Sequence, residues 1–220
     1  MMVLHRKSGY IEYYNRHNSN LPSNNIYSII SDGYGGLWVA SLEYLLHFDI
    51  DKRNFTIVDV DEDGHKLQQY NRLLFCDSKK RIWAGGEMGI SVFNQVGTSL
   101  LPNTDFQIAS VLKQAFVNCF YETSSGYLWI GTRNGLFALK ESDKQFLQYT
   151  TENGLPSNVI YGILEDAYGR LWISTNQGLS CLNPESGKFR NFTIMDGLQG
   201  NQFNAGAYCR KDNGYMLFGG

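Results

Sequence analysis

The chain has 220 residues, 43% of them hydrophobic and 14% aromatic, with a formal net charge of −2. The length suits one large all-β domain or two small ones, and apolar residues are plentiful enough for a packed core. No basic stripe is visible, which argues against nucleic acid as a partner. No apolar run approaches the roughly 20 residues that a membrane helix needs, and the start lacks the apolar region of a signal peptide.

The chain begins with half of a repeated unit. Residues 1–14 align with the second half of a unit that is complete later in the chain, and they predict its third and fourth strands. Each complete unit has four short apolar segments separated by Gly, Asn, Asp and Pro turns, which is typical of a four-stranded antiparallel meander. The complete units are 21–58, 67–110, 115–150 and 155–193, and residues 199–220 give the first half of another.

Tryptophan marks the period of this repeat. The four Trp residues lie 45, 46 and 43 residues apart, and six residues before each is the first residue of a turn: Asp32, Asp77, Thr123 and Asp166. In the last copy, Phe218 is predicted to take the Trp position, with Asp212 at the turn. A period of roughly 40–50 residues with four strands per unit indicates the blades of a β-propeller.

The sequence therefore predicts an all-β chain, a β-propeller of four-stranded antiparallel blades with about five blade equivalents. Residues 1–220 are expected to form a single array. Both ends fall within the same hairpin of the repeat. The half-blades could pair and close a five-bladed ring, or the chain could be an arc of a larger propeller with a bare edge strand. The residues leave both arrangements open.

The repeated turn and its tryptophan are interpreted as structural. A turn Asp accepts hydrogen bonds from main-chain N–H groups, and the Gly that usually follows tolerates positive φ. Each Trp is expected to fill the gap between adjacent sheets, where its N–H needs a partner. The four cysteines share no repeat position, so they are read as small hydrophobes rather than a metal or disulfide set. Asparagines at the blade crossings are expected to cap local turns: Asn24, Asn158 and Asn201.

Candidate ligand contacts lie on one rim of the array. The turns between second and third strands vary between copies and are polar, and variation on a repeated scaffold is where specificity is placed. The candidates are Glu43, Glu87, Arg133, Asn134, Asn176 and Gln177. Arg133 could fork to a carboxylate or sulfate of an acidic sugar, or it could be a solvated loop arginine. No catalytic residue, metal site or cofactor is predicted.

The segments Leu21–Ser41 and Leu155–Thr175 share the pattern Leu-Pro-Ser-Asn-x-Ile-Tyr, followed by the Asp turn and Leu-Trp. This pattern resembles the two-component regulator propeller repeat. Trp129–Leu136 also fits it, and the ending at Asn201–Tyr208 and 217–220 resembles the last repeat of that family. Tyr44 and Lys80 depart from it by replacing turn glycines, and the second and third copies lack Leu-Pro-Ser-Asn.

The resemblance implies a sensory, ligand-binding propeller from the periplasmic region of a hybrid two-component histidine kinase. Such sensors usually combine seven blades with a β-sandwich, a membrane helix and a kinase, and they respond to oligosaccharides. The expected partners are thus an oligosaccharide, the remaining blades and a following β-sandwich, and a homodimer stays open. A protein-interaction scaffold and a glycan-cleaving propeller enzyme are the alternatives.

Overall fold

The structure is a computed structural model that describes residues 1–41, 44–58, 71–105, 108–141 and 145–220. The chain divides into two compact units, Met1–Ala109 and Ser110–Gly220. All strand pairs in the described ranges are antiparallel and join neighbours in sequence. The prediction of an all-β chain made of four-stranded antiparallel blades is therefore confirmed.

The first unit contains a two-stranded ribbon and two blades. The ribbon is β1 (Met2–His5) and β2 (Tyr10–Tyr13). The first blade is β3 (Ile26–Ser31), β4 (Gly36–Ser41), β5 (Leu45–Asp49) and β6 (Asn54–Ile57). The second blade is β7 (Asn71–Cys76), β8 (Arg81–Gly86), β9 (Gly89–Val96) and β10 (Ser99–Pro102). A four-residue helix, α1 (Ile108–Val111), follows β10.

The second unit contains two further blades and a ribbon. The third blade is β11 (Val117–Glu122), β12 (Leu128–Thr132), β13 (Gly135–Lys140) and β14 (Gln145–Tyr149). The fourth blade is β15 (Ile160–Glu165), β16 (Leu171–Thr175), β17 (Gly178–Asn183) and β18 (Lys188–Phe192). The closing ribbon is β19 (Tyr208–Arg210) and β20 (Met216–Phe218). Short 3₁₀ helices at Thr151–Asn153 and Ile194–Asp196 lie at the blade crossings.

In the last copy, the turn begins one residue earlier than the sequence suggested. The N–H of Lys211 bonds to the Tyr215 carbonyl at 2.8 Å, which is the closing bond that the turn Asp makes in complete blades. Leu217, six residues later, therefore holds the Trp position. The predictions of Phe218 at that position and of Asp212 at the start of the turn are wrong. The position does not require an aromatic side chain, because Leu217 is 46% exposed.

Apolar side chains fill the space between neighbouring blades within each unit. In the second unit the first strands β11, β15 and β19 lie side by side. Gly131 gives β12 close access to β15, since a Cβ there would lie 2.7 Å from Cγ2 of Ile160. The core between the third and fourth blades consists of Cys119, Trp129, Leu136, Ala138, Leu155, Ile160, Ile163, Leu171, Ile173 and Leu182. Burial of these side chains is the main stabilising contribution to the unit.

The turn Asp ties the main chain of its hairpin to the tryptophan. In the fourth blade, Oδ1 of Asp166 accepts from the amides of Tyr168 at 2.9 Å and Arg170 at 3.0 Å. Its Oδ2 accepts from Nε of Arg170 at 2.7 Å and from Nε1 of Trp172 at 3.0 Å. One carboxylate therefore satisfies four donors, which fixes both the turn and the indole.

The second blade repeats this arrangement without the turn glycine. Oδ2 of Asp77 accepts from Nε of Arg81 at 2.6 Å and from Nε1 of Trp83 at 2.9 Å. Lys80 stands where other copies have Gly and adopts a φ of 62°, a left-handed conformation that costs roughly 1 kcal/mol for a residue with a Cβ. The hydrogen bonds of the turn are strong enough to hold Lys80 in that conformation.

In the first and third blades the tryptophan N–H does not donate to the turn residue. In the first, Oδ2 of Asp32 pairs with Nε2 of His47 at 2.7 Å, and Nε1 of Trp38 donates instead to Gln95 at 3.2 Å. In the third blade Thr123 replaces Asp, and its hydroxyl accepts from the Tyr127 amide at 3.1 Å and bonds to the Ser125 hydroxyl at 3.0 Å. Nε1 of Trp129 is buried, and no described residue accepts from it. The structural role predicted for the turn Asp residues is confirmed. The third blade is unusual because it has Thr123 at this position.

Replacing Asp166 by Ala should destabilise the second unit by about 2–4 kcal/mol, because four donors lose their acceptor and three of these hydrogen bonds are partly buried. Urea unfolding should show a lower midpoint with an unchanged m-value. Asp212→Ala provides the matched control, because Asp212 is an exposed turn residue of the last copy. Its effect should stay within about 0.5 kcal/mol. Equal effects of the two variants would contradict the structural role of the turn Asp.

The contribution of Asp166 should also depend on pH. Burial alone would raise the pKa of this carboxyl, but hydrogen bonds from Trp172, from Arg170 and from main-chain amides hold the pKa below its ordinary value. A folded-state pKa below the unfolded value of about 3.9 gives stability that is present above pH 3.9 and is lost as pH falls through the folded pKa. The stability difference between wild type and Asp166→Ala should therefore be constant from about pH 7 to 5 and shrink below about pH 4. Thr123→Ala, which changes no titratable group at the same repeat position, should show a constant difference.

Candidate functional site

Each blade presents two kinds of turn to opposite ends of its sheet. The turns between first and second strands and between third and fourth strands form the turn rim. The turns between second and third strands, together with the blade crossings, form the hairpin rim. Within each unit, the predicted ligand contacts that the structure describes lie on the hairpin rim.

A buried threonine fixes the backbone of the hairpin rim in both complete blades of the second unit. Thr132 donates its hydroxyl to the Gly135 carbonyl at 2.9 Å and accepts from the Asn134 amide at 2.9 Å. Thr175 makes the same pair of bonds to Gly178 and Gln177, at 2.8 and 3.0 Å. The two hairpins therefore share one backbone shape and differ in the side chains that they present, which are Arg133 and Asn134 in one and Asn176 and Gln177 in the other.

Arg133 is the best-positioned charged group on this rim. Its guanidinium carbon lies 3.8 Å from the centre of the Phe116 ring, and the Arg133 amide donates to the Phe116 carbonyl at 3.0 Å. Stacking on an aromatic face orients the guanidinium and leaves its N–H edge available. Arg133 is exposed, and no carboxylate of the described ranges forms an ion pair with it.

The other predicted residues of the second unit have less defined environments. Asn134 is exposed, and its carbonyl accepts from the Gln148 side chain at 3.1 Å. Oδ1 of Asn176 is buried without a partner in the described part of the chain, whereas Gln177 is exposed. No hydrogen bond among the described residues joins the side chains of one hairpin to those of the other. The structure places all four on the same rim of the unit, as isolated polar groups.

The two acidic candidates belong to the first unit. Glu87 forms an ion pair with Arg72 at 2.5 Å, and the Arg72 guanidinium lies 5.1 Å from the centre of the Tyr27 ring. A ligand would have to compete with Arg72 for that carboxylate. Glu43 lies outside the described residues.

The asparagines at the blade crossings have the capping role that the sequence predicts. Oδ1 of Asn24, Asn158 and Asn201 accepts from the main-chain N–H of Arg16, Thr151 and Ile194, each at 2.9 Å. These bonds hold each crossing against the chain segment before it. The three asparagines are therefore part of the frame.

Sequence reasoning missed a cavity on the turn rim. It lies between the third and fourth blades, has a volume of about 270 Å³, and is lined by residues that include Ser124, Trp129, Tyr149, Glu165 and Glu185. The signal for it was present in the sequence, since Thr123 breaks the pattern of turn Asp residues. The missing carboxylate is the one that would have bonded to the Trp129 indole.

The described cysteines and acidic side chains give no metal-binding or nucleophilic cluster. None of the four cysteines, all of which lie in the described ranges, forms a disulfide. Burial raises the pKa of the Cys119 thiol to about 12, so this cysteine is protonated at neutral pH and a poor nucleophile. No group of three His, Cys, Asp or Glu residues in the described ranges is arranged to hold a metal ion. Within the same ranges, no helix has the length and apolar character required to cross a bilayer.

Comparison with solved structures identifies the fold. The extracellular domain assigned to the hybrid two component system BT3049 of B. thetaiotaomicron has a TM-score of 0.75 at 22% identity, with 95% of this chain and 29% of that chain covered. The corresponding domain of BT4673 from the same organism has a TM-score of 0.74 at 19% identity, with 99% and 28% covered. This chain thus spans less than a third of the length of these domains. At such identities the likeness establishes the β-propeller fold.

An enzyme shares this architecture. Virginiamycin B lyase from Staphylococcus aureus has a TM-score of 0.60 at 16% identity, with 89% of this chain and 63% of that chain covered. The propeller therefore supports catalysis as well as sensing, and function has to be argued from side chains. No curated protein matches the chain significantly.

The family comparison matches the segments that carry the repeated turn. The family described as two component regulator propeller matches residues 20–43, 112–134 and 154–177. These segments contain the Asp or Thr turn and the Trp of the first, third and fourth blades. Segments of three of the four complete blades therefore match the two-component regulator propeller repeat.

Proposed function

We propose that this chain is a ligand-binding part of the sensor region of a two-component system and that it recognises acidic oligosaccharides at the hairpin rim of its second unit. The repeat family supports the sensory role. Two structural neighbours assigned to hybrid two component systems are extracellular domains, which supports a location outside the cytoplasm, in the periplasm of the cell. The expected form is a single array completed by further blades of the parent sensor.

Arg133 is the observation that carries the proposed ligand class. An exposed guanidinium stacked on Phe116 keeps its N–H edge free for a planar anion, and a carboxylate or sulfate accepts from that edge in bidentate fashion. The exposed amides of Asn134 and Gln177 on the same rim of the unit supply both donors and acceptors for sugar hydroxyls. A uronic or sulfated sugar combines these two requirements in one molecule.

Replacing Arg133 by Ala should weaken binding of an acidic oligosaccharide about 10–100-fold, because a charge-assisted hydrogen-bonded pair contributes about 1.5–3 kcal/mol. Tri-galacturonate and a sulfated disaccharide are suitable probes for isothermal titration calorimetry, with maltotriose as the neutral comparison. Arg133→Lys should recover part of the affinity for sulfate but little of the bidentate binding.

Arg190→Ala is the matched control for this experiment. Arg190 is also exposed and lies 4.7 Å from the centre of an aromatic ring, that of Phe192, but it belongs to the outer strand β18 and not to the hairpin rim. Its replacement should change affinity less than twofold. Comparable losses for both variants, or equal binding of maltotriose and tri-galacturonate, would exclude recognition at Arg133. Turnover of aryl-glycosides would instead favour a glycan-cleaving enzyme.

Signalling would follow if the ligand biases the packing of the propeller against a following β-sandwich domain. Thr132 and Thr175 fix the backbone of the hairpin rim by hydrogen bonds. A bound ligand would therefore act on the following domain by direct contact rather than by rearranging the hairpins. In the intact sensor ectodomain, a saturating acidic oligosaccharide should change the inter-domain distances measured by solution X-ray scattering. Binding without any change in the scattering profile would leave a protein-interaction scaffold as the better proposal.

A further inference from the structure

The cavity on the turn rim of the second unit has the features of a built site. It lies between the outer strands of the third blade and the turns of the fourth, at the opposite end of the sheets from Arg133. Its wall combines two carboxylates, Glu165 and Glu185, with four aromatic residues, Tyr127, Trp129, Tyr149 and Tyr168. The site is thus independent of the hairpin rim and of the proposed function.

Trp129 supplies a buried donor without an acceptor. Its side chain is only 2% exposed, and Nε1 has no hydrogen-bond partner among the residues that the structure describes. In the second and fourth blades the equivalent indole N–H is directed to the first residue of the turn, and that residue in the third blade is Thr123. The next residues of the turn, Ser124 and Ser125, line the cavity. By the same geometry the unmatched N–H lies toward the turn whose carboxylate is missing, next to Ser124 and Ser125, and a buried donor of this kind needs an acceptor.

Glu165 supplies a buried negative charge whose hydrogen-bond donors are neutral. The residue is 7% exposed, and its carboxylate accepts from the amide and hydroxyl of Ser124, both at 3.1 Å. The Arg210 guanidinium bonds to the main-chain carbonyl of Glu165 at 3.0 Å. Among the described lining residues there is no Lys, Arg or His, and exposed Glu185 adds a second carboxylate at the mouth. An anion would be repelled here, and an ammonium group would be attracted.

The aromatic wall suits the same kind of ligand. The rings of Trp129 and Tyr149 are stacked with centroids 5.9 Å apart. Burial raises the pKa of the Tyr149 hydroxyl, which keeps it a neutral donor and acceptor. Aromatic faces attract both cations and the C–H groups of a sugar ring. A volume of about 270 Å³ admits a molecule of monosaccharide size.

A second cavity of the same volume shows what distinguishes this site. It lies in the first unit between the β1–β2 ribbon and the first blade, where Glu12 contributes a carboxylate. That carboxylate already pairs with Arg53 at 3.0 Å, so it does not require a ligand cation. The cavity at Trp129 combines a free indole donor with a carboxylate whose hydrogen-bond donors carry no charge.

We infer that the cavity binds a small amine that also carries hydroxyl groups, on the scale of an aminated hexose. The ammonium would pair with Glu165, and a hydroxyl oxygen would accept from Trp129 Nε1. Neither group alone fits both features: an ammonium has no lone pair to offer the indole, and a neutral polyol leaves the carboxylate without a cation.

Glucosamine is the direct probe of this inference. In a ¹H–¹⁵N spectrum of the full chain, the indole resonance of Trp129, assigned with Trp129→Phe, should shift saturably as glucosamine is added. Glucose lacks the ammonium group, N-acetylglucosamine carries it as a neutral amide, and methylammonium lacks the hydroxyls. Each should bind at least about tenfold more weakly, since each loses one charged or hydrogen-bonded contact. The Trp172 resonance, whose N–H is held by Asp166, should stay in place.

Single substitutions test the proposed contacts with Glu165 and Trp129 separately. Glu165→Gln keeps one acceptor oxygen for the Ser124 amide, and its NH2 can donate to the Ser124 hydroxyl, but the charge is removed. It should weaken glucosamine binding at least about tenfold. Trp129→Phe should weaken it several-fold, measured by calorimetry, whereas Trp172→Phe should leave it unchanged. The comparison of glucosamine with glucose on wild-type protein requires no variant, so it stands even if Glu165→Gln fails to fold. A Trp129 resonance that does not respond would show that water alone occupies the cavity, and equal responses to glucose and glucosamine would overturn the assignment of an amine.

Discussion

In the second and fourth blades the hydrogen-bonded turn carboxylate is the interaction on which the position of the tryptophan depends. It accepts from the main chain of its own turn and from the indole that packs between sheets, so a local motif and an inter-sheet contact share one residue. This arrangement explains why Asp and Trp recur with a fixed spacing of six residues. Burying an indole N–H without a partner costs free energy, and in the second and fourth blades the Asp at that distance is the group that reaches it.

Where a blade departs from this Asp–Trp motif, either another residue compensates or a buried donor is left without an acceptor in the described structure. In the first blade, His47 takes the carboxylate oxygen that Trp38 would use, and Gln95 receives the indole instead. In the second, Lys80 accepts a left-handed conformation so that the turn can close. In the third, no side chain of the described structure replaces the lost acceptor at Trp129. Natural proteins depart from local sequence patterns mainly at functional sites, where a ligand or partner supplies the missing contact. For this reason we place the proposed amine site at the third blade.

The repeat made most of the fold predictable from the sequence. Strand number, strand order and the structural roles of Asp32, Asp77 and Asp166 follow from period, apolar alternation and turn chemistry alone. The last copy was misaligned by one residue, because an aromatic residue, Phe218, lay close to the expected position and the true occupant, Leu217, is half exposed. The cavity was not predictable as a shape, since it depends on how β13 and β14 of one blade face the turns of the next. Only the Thr123 substitution pointed to it.

The two rims of the second unit differ in charge and in rigidity, and this difference matters for how a signal could arise. The hairpin rim presents an exposed cation on a backbone that Thr132 and Thr175 already hold. The turn rim has a gap between the third and fourth blades, where one blade lacks the carboxylate that stiffens the others. A ligand that supplied the missing acceptor would add the contact that Asp166 provides in its own blade, and its binding free energy would stabilise the packing of those blades through linkage. Ligand binding in the cavity would thus be coupled to the stability of the packing between the third and fourth blades. A ligand on the hairpin rim would instead act through the surface that it contacts.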